Sequence, residues 1–251
     1  MKKIIAFDLD DTIAPSKSPL PLKMSELLAQ LLDKFIVCII SGGKFEQFEE
    51  QILNNLTIEV GKPQKLHIIP TCGTRYYLYD ALSDQWERLY AEDFTPKQKN
   101  KILTALKEGS LACGYDQERA WGDQIEDRGS QITFSALGQK APVEAKAAWD
   151  PMVEKRKKLR DYVAKKIPEF EVRTGGSTSV DITKLGVDKA YGINKLMKYT
   201  GVAKKDILFI GDRLQKDGND YPVKIMGVDC IEVPDWHGTA LVLETLLAVI
   251  N

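Results

Sequence analysis

The sequence predicts an α/β fold: a doubly wound parallel-sheet core with an α+β domain inserted into it. Short apolar runs at Ile4–Phe7, Phe35–Ile40, Leu66–Ile69 and Ile207–Ile210 each end abruptly in small or polar residues. Short, almost wholly apolar runs are the mark of strands buried on both faces in a parallel sheet covered by helices. Helical stretches separate them, giving the strand–helix alternation of a doubly wound sheet. Between about residue 82 and residue 184 that alternation breaks down, which marks the insertion.

After the first strand, Met24–Leu32 reads as a helix with Leu27, Leu28, Leu31 and Leu32 on one face. The strand at Phe35–Ile40 runs into Ser41-Gly42-Gly43, and a second helix is expected over Phe45–Asn54. Leu66–Ile69 then leads into Pro70-Thr71-Cys72-Gly73. In the insert, Thr95-Pro96 signals a helix start and Gly109 a stop, with Ile102, Leu103 and Leu106 as the apolar face. Gln131–Leu137 alternates, with Ile132, Phe134 and Ala136 opposite Gln131, Thr133 and Ser135, as in an antiparallel strand with one solvated face. A helix is expected over Pro151–Ile167, turning Met152, Leu159, Val163 and Ile167 inward, and extended pieces at Phe170–Arg173 and Ser179–Ile182. The core resumes with Ile207–Ile210, a last strand at Cys230–Val233 and a helix over Thr239–Ile250. Residues 1–81 and 185–251 thus form the core and 82–184 the insert.

With 251 residues, 43% of them hydrophobic, the chain can bury a substantial core. A net charge of −1 provides no global field for nucleic acid or an anionic membrane. No apolar run has the length of a membrane span, and Met1-Lys2-Lys3 leads into a short strand and not into a signal-peptide core. The expected location is the cytoplasm. Cys38, Cys72, Cys113 and Cys230 are too scattered for a zinc site and read as reduced thiols. His67 and His237 are isolated and read as structural, and Trp121, Trp149 and Trp236 as packing. The basic run Lys155–Lys158, Arg156 included, reads as the solvated face of a helix.

A doubly wound sheet brings the carboxyl ends of its strands to one edge, where ligands bind. Asp8, Asp10, Ser41 and Asp212 follow three of those strands and are expected to converge there. Two carboxylates two residues apart repel unless a cation or a proton separates them. A carboxylate can attack phosphorus, a second can protonate the leaving oxygen, and Mg²⁺ favours a cage of carboxylates, waters and phosphate. Ser41 with Gly42-Gly43 suits the approach of backbone N–H groups to an anion, and Lys189 is the candidate fixed positive charge. Asp11 and Asp217 read as solvated loop acids.

In order, Asp8-Leu-Asp10-Asp-Thr12, Ser41-Gly42, Lys189 and Gly211-Asp212 with Asn219-Asp220 resemble the four signature motifs of the haloacid dehalogenase superfamily of phosphatases and phosphomutases. The resemblance covers the whole chain. The long insert looks like the cap of the large α/β-capped branch, which includes Cof-type and sugar phosphatases and phosphomannomutase. It implies a Rossmann-like core, a nucleophile at Asp8, an acid/base at Asp10, and phosphate contacts from Thr12, Ser41, Gly42 and Lys189. It also implies Mg²⁺ held by Asp8, Asp212 and the backbone carbonyl of Asp10, with Asp220 as a further ligand or as the support of one. Arg173–Asp181 and Glu126-Asp127-Arg128 resemble cap segments that hold a sugar phosphate, which makes Arg128, Ser179 and Asp181 the candidate cap contacts. Caps of this kind are expected to close over the core and choose the substrate.

Two cap positions where phosphomannomutases carry arginine align with Gln139 and Lys146, and Asp11 replaces the usual glycine. A neutral amide removes a charge and a fork, and lysine restores only a point charge. The expected activity is therefore Mg²⁺-dependent hydrolysis of a small phosphorylated metabolite, a sugar phosphate, through an aspartyl phosphate, by a monomer or a cap-mediated homodimer. A phosphomannomutase-like mutase is the first alternative. A receiver-like phosphoacceptor is the alternative from another class; it needs an acceptor aspartate where this chain has Ser41 or Thr71.

Overall fold

The computed structural model describes residues 1–58, 62–216 and 218–250. The chain divides into two compact units, Met1–Ala91 with Val187–Asn251, and Glu92–Gly186.

The first unit contains β1 (Ile4–Phe7), α1 (Leu22–Lys34), β2 (Ile36–Ile40), α2 (Phe45–Gln51), β3 (Leu66–Ile69), β4 (Arg75–Asp80) and β5 (Gln85–Ala91). After the second unit it resumes with α6 (Lys189–Thr200), β10 (Ile207–Gly211), α7 (Tyr221–Ile225), β11 (Asp229–Glu232) and α8 (Trp236–Ile250). Its sheet has the order β11-β10-β1-β2-β3-β4-β5. The strands from β11 to β3 are parallel, and β4 and β5 are antiparallel. Alternate residues of β1 serve opposite faces, as the period of two requires. Ile5 and Phe7 pack with Leu28 and Leu31 of α1 and Leu243 and Leu247 of α8. Ile4 and Ala6 pack with Ile193 and Leu196 of α6 and Val223 of α7. The expected doubly wound sheet is therefore present, with helices on both faces.

The expected insert boundary shifts. Residues 85–91 pair with β4 and extend the core sheet, so the second unit begins at Glu92 and not at residue 82. This unit contains α3 (Pro96–Cys113), β6 (Ile125–Asp127), β7 (Gln131–Ser135), α4 (Val143–Trp149), α5 (Glu154–Lys166), β8 (Phe170–Thr174) and β9 (Ser179–Lys184). Its antiparallel sheet has the order β6-β7-β9-β8. Ile132, Phe134, Val180 and Ile182 pack with Ile102 and Leu106 of α3 and Leu159 and Val163 of α5.

Thr95 starts α3 with a reciprocal capping box: Gln98 N–H donates to Thr95 Oγ1 at 3.3 Å, and Thr95 N–H donates to Gln98 Oε1 at 2.9 Å. The helix runs through Gly109, the expected stop, and ends at Gly114, whose φ of 79° is the left-handed cap. Gly109 instead lets α5 come close, since a Cβ there would lie 2.9 Å from Leu159 Cδ1.

Three further expectations change. Met152 is 77% exposed, because α5 starts only at Glu154. Gln131, Thr133 and Ser135 are buried and not solvated; Gln131 Nε2 donates to Thr133 Oγ1, which donates to Asp181 Oδ1. Arg156 is not on a solvated face: Nε donates to Asp150 Oδ2 at 2.9 Å and Nη1 to the Gly176 carbonyl at 2.6 Å, tying α5 to the β8–β9 turn.

Candidate active site

The first sheet runs from β1 through β2 to β3 in one direction, then returns to place β10 on the other side of β1. The carboxyl ends of β1 and β10 therefore flank a topological switch point, where the connections diverge and leave a crevice. Phe7 and Ile210 are in register, and Asp8 N–H donates to the Ile210 carbonyl at 3.0 Å. Asp8 and Asp212 follow these two strands directly. Ser41 follows β2, its N–H held by the Ile69 carbonyl at 3.3 Å.

Carboxylate oxygens of Asp8, Asp212 and Asp220 lie within 4.8 Å of one another. Lys189, 1% exposed, places Nζ 2.6 Å from Asp8 Oδ1 and 2.5 Å from Asp220 Oδ1. Lys189 is the first residue of α6, whose start is fixed by Asp188 Oδ1 accepting from Tyr191 N–H at 3.0 Å. Asp220 is fully buried, and its Oδ2 accepts from Arg213 N–H at 3.1 Å. Gly211 makes room for it, since a Cβ there would lie 2.4 Å from Asp220 Oδ2. Leu9 N–H donates to Asp8 Oδ1 at 2.7 Å and orients that carboxylate.

The cluster sets three carboxylates against one ammonium. Burial pushes the Asp8 carboxyl well above its ordinary range; Lys189 opposes this, and the charge of Asp220 adds to it. Burial, then Asp220, also raises Asp212. Burial alone would lower the Lys189 ammonium, but the charges of Asp8 and Asp220 outweigh it and keep the group protonated. This excess of buried negative charge on oxygen donors fits a hard divalent cation such as Mg²⁺. Asp8 and Asp212 are the residues here that could hold it, with Asp220 fastened behind them by Lys189 and Arg213 N–H.

The other predicted residues are placed as follows. Asp10 directs its carboxylate to Lys17 N–H, Gln47 and Gln51 and is not part of the acidic cluster. Thr12 is buried; its hydroxyl lies 3.5 Å from Asp212 Oδ1, and its carbonyl accepts from Thr239 Oγ1 at 2.5 Å. Ser41 Oγ accepts from Gly43 N–H at 3.2 Å, and Gly42 sits half-buried in the same turn. Asp11 is exposed, with a left-handed φ of 59°, and accepts from Ser16 N–H. Asp217 lies outside the described residues.

In the second unit Arg128 donates through Nε and Nη2 to Glu126 Oε2 at 2.9 and 2.7 Å. Ser179 begins β9, and Asp181 Oδ1 accepts from Thr133 Oγ1 at 2.7 Å. Lys146 Nζ donates to the Gln139 carbonyl at 3.0 Å, so the two positions that depart from arginine touch each other. Sequence reasoning missed Gln47, Gln51 and Thr239. The signal for the first two was present: two carboxamides four residues apart on a helix that directly follows Ser41-Gly-Gly.

The family model of haloacid dehalogenase-like hydrolases matches residues 5–222. A phosphomannomutase of Encephalitozoon cuniculi is 26% identical over 233 residues, covering 88% of this chain and 84% of the relative. A phosphomannomutase of Saccharomyces cerevisiae is 25% identical over 226 residues, with the same shares covered. Among solved structures, an N-terminally truncated Plasmodium falciparum IMP-nucleotidase superposes with a TM-score of 0.74 at 16% identity, covering 100% of this chain and 71% of that one. SMU.1108c from Streptococcus mutans superposes at 0.67 with 16% identity, covering 99% and 100%. At such identities the structural likeness speaks to the fold alone.

Proposed function

Since the chain belongs to the haloacid dehalogenase-like hydrolases, we propose that it is a Mg²⁺-dependent phosphohydrolase acting on a small phosphorylated metabolite, a sugar phosphate, through a phosphoenzyme at Asp8. The observation that carries this reading is the buried Asp8–Lys189–Asp220 contact beside Asp212, at the one edge where the parallel strands end. When bound, Mg²⁺ supplies the charge that offsets repulsion between these carboxylates and a phosphate.

Asp8 attacks phosphorus, the bond to the leaving oxygen breaks, and Asp10 gives that oxygen its proton. Lys189 and the Ser41 turn hold the remaining phosphate oxygens. Water, deprotonated by Asp10, then attacks the aspartyl phosphate, which releases inorganic phosphate and restores Asp8. In this reading the second unit chooses the substrate, with Arg128, Ser179 and Asp181 as its contacts.

A phosphomannomutase-like cycle shares the first step, and the relatives of that name favour it as the second reading. Gln139 and Lys146 weigh against it, because a sugar carrying two phosphates needs strong anion binding away from Asp8.

Phosphate release from a panel of phosphorylated metabolites with Mg²⁺ should fall at least about 1,000-fold in Asp8→Asn. Equal release by both proteins would refute Asp8 as nucleophile. With mannose 1-phosphate and a catalytic hexose bisphosphate, free phosphate supports the hydrolase; mannose 6-phosphate as main product would overturn it in favour of the mutase.

A further inference from the structure

Resting on the phosphohydrolase reading, we propose that Gln47 and Gln51 of α2 are positioning residues for Asp10, leaving only Oδ2 able to carry the proton to and from the reacting oxygens. Among the described residues the two amides and the Asp10 carboxylate form one hydrogen-bonded group. Gln47 Nε2 donates to Asp10 Oδ2 at 3.0 Å and to Gln51 Oε1 at 2.6 Å. Gln51 Nε2 donates to Asp10 Oδ1 at 3.3 Å and to the Ser18 carbonyl at 2.9 Å. A carboxamide nitrogen carries two protons, so the NH2 groups of both amides are fully used.

Asp10 Oδ1 also accepts from Lys17 N–H at 2.7 Å, which fills both of its lone pairs. Among the described residues Oδ2 takes only the Gln47 donor and keeps one lone pair. The carboxylate is therefore held at three points, with one unshared lone pair on a fixed oxygen.

Gly43 is fitted to this arrangement. A Cβ there would lie 2.3 Å from Gln47 Oε1, so only glycine lets the Gln47 amide occupy its observed place. The Ser41-Gly-Gly turn thus serves the helix behind it as well as an anion in front. Gln51 is buried, and its backbone carbonyl accepts from Leu20 N–H at 2.7 Å, which ties α2 to the loop that carries Asp10.

In the proposed step, Asp10 Oδ2 delivers its proton to the leaving oxygen as the phosphorus–oxygen bond breaks, then takes one back from the water that attacks the aspartyl phosphate. A poor leaving group such as an alkoxide needs that proton, whereas a nitrophenolate departs without it. Loss of positioning should therefore depend on the leaving group, and loss of folding should not.

The experiment compares an alkyl phosphate with p-nitrophenyl phosphate in Gln47→Met, which keeps side-chain length and removes the amide. For the alkyl substrate kcat/KM, which reads the steps through departure of the leaving group, should fall about 10- to 100-fold, and for the aryl substrate kcat/KM should fall less than about three-fold. Wherever hydrolysis of the shared aspartyl phosphate is limiting, kcat falls for both. Gln47→Met should have no further effect in an Asp10→Ala background. Equal losses of kcat/KM on both substrates, no loss on either, or a further loss without Asp10 would overturn the inference while leaving the phosphatase reading intact. A wild type that hydrolyses neither phosphate would refute that reading and this inference with it.

Discussion

Lys189 shows how one buried side chain organises its surroundings. An ammonium taken fully out of water is retained only where opposite charges repay its desolvation, and here it contacts Asp8 and Asp220 directly. Two acids far apart in the chain are thereby held together. His67 resolves the same conflict by staying neutral. Burial lowers its pKa to about 4, and Nδ1 lies 2.5 Å from the Tyr76 hydroxyl. Burial also pushes the Tyr76 hydroxyl upward, so Tyr76 donates and the unprotonated ring accepts. A base depressed in the folded state binds its proton more readily when unfolded, so stability falls as pH drops from 6.5 towards about 4. Urea midpoints should show this loss, up to about 3 kcal/mol, and His67→Gln should flatten the profile over that window. An unchanged slope in the variant would mean that other groups set the acid limit.

At the scale of elements, the turn between β3 and β4 decides how α6 meets the sheet. Thr71, Cys72 and Gly73 take successive positive φ values of 47°, 54° and 97°. A Cβ on Gly73 would lie 2.3 Å from Gly192 Cα, and one on Gly192 would lie 2.1 Å from Ile40 Cδ1. Two glycines therefore allow α6, which carries Lys189, to approach the ends of β2 and β3. Gly73→Ala combines a left-handed penalty with a backbone clash and should cost about 2–4 kcal/mol, read as a drop in the urea midpoint. A loss below about 0.5 kcal/mol would show that the turn relaxes freely.

At the scale of the molecule, Glu92–Gly186 is a domain with its own apolar core inserted into another. Lys184 Nζ donates to the Glu92 and Asp93 carbonyls at 3.0 and 3.3 Å, so the two ends of the insert are clasped within it. A fragment comprising residues 92–186 should fold alone and unfold cooperatively in urea, followed by circular dichroism. A fragment without a transition would mean that its core depends on the rest of the chain.

The central parallel strands were legible in the sequence because they are almost wholly apolar, and the residues after them because an abrupt change to acid or hydroxyl marks a strand end. Thr95-Pro96 was legible because a cap is a local motif. Gly109 was misread because a glycine that admits a neighbouring helix looks, in one dimension, like one that ends its own, and Met152 because α5 starts only at Glu154. The sequence by itself determined the alternation of strand and helix, the residue types at each strand end and the family that Asp8, Ser41, Lys189 and Asp212 mark. Only the tertiary structure decided that β5 belongs to the core sheet, that Arg156 fastens a turn, and that Gln47 and Gln51 hold Asp10. Each of these depends on which groups, remote in the chain, come within hydrogen-bonding distance, and periodicity carries no information about that.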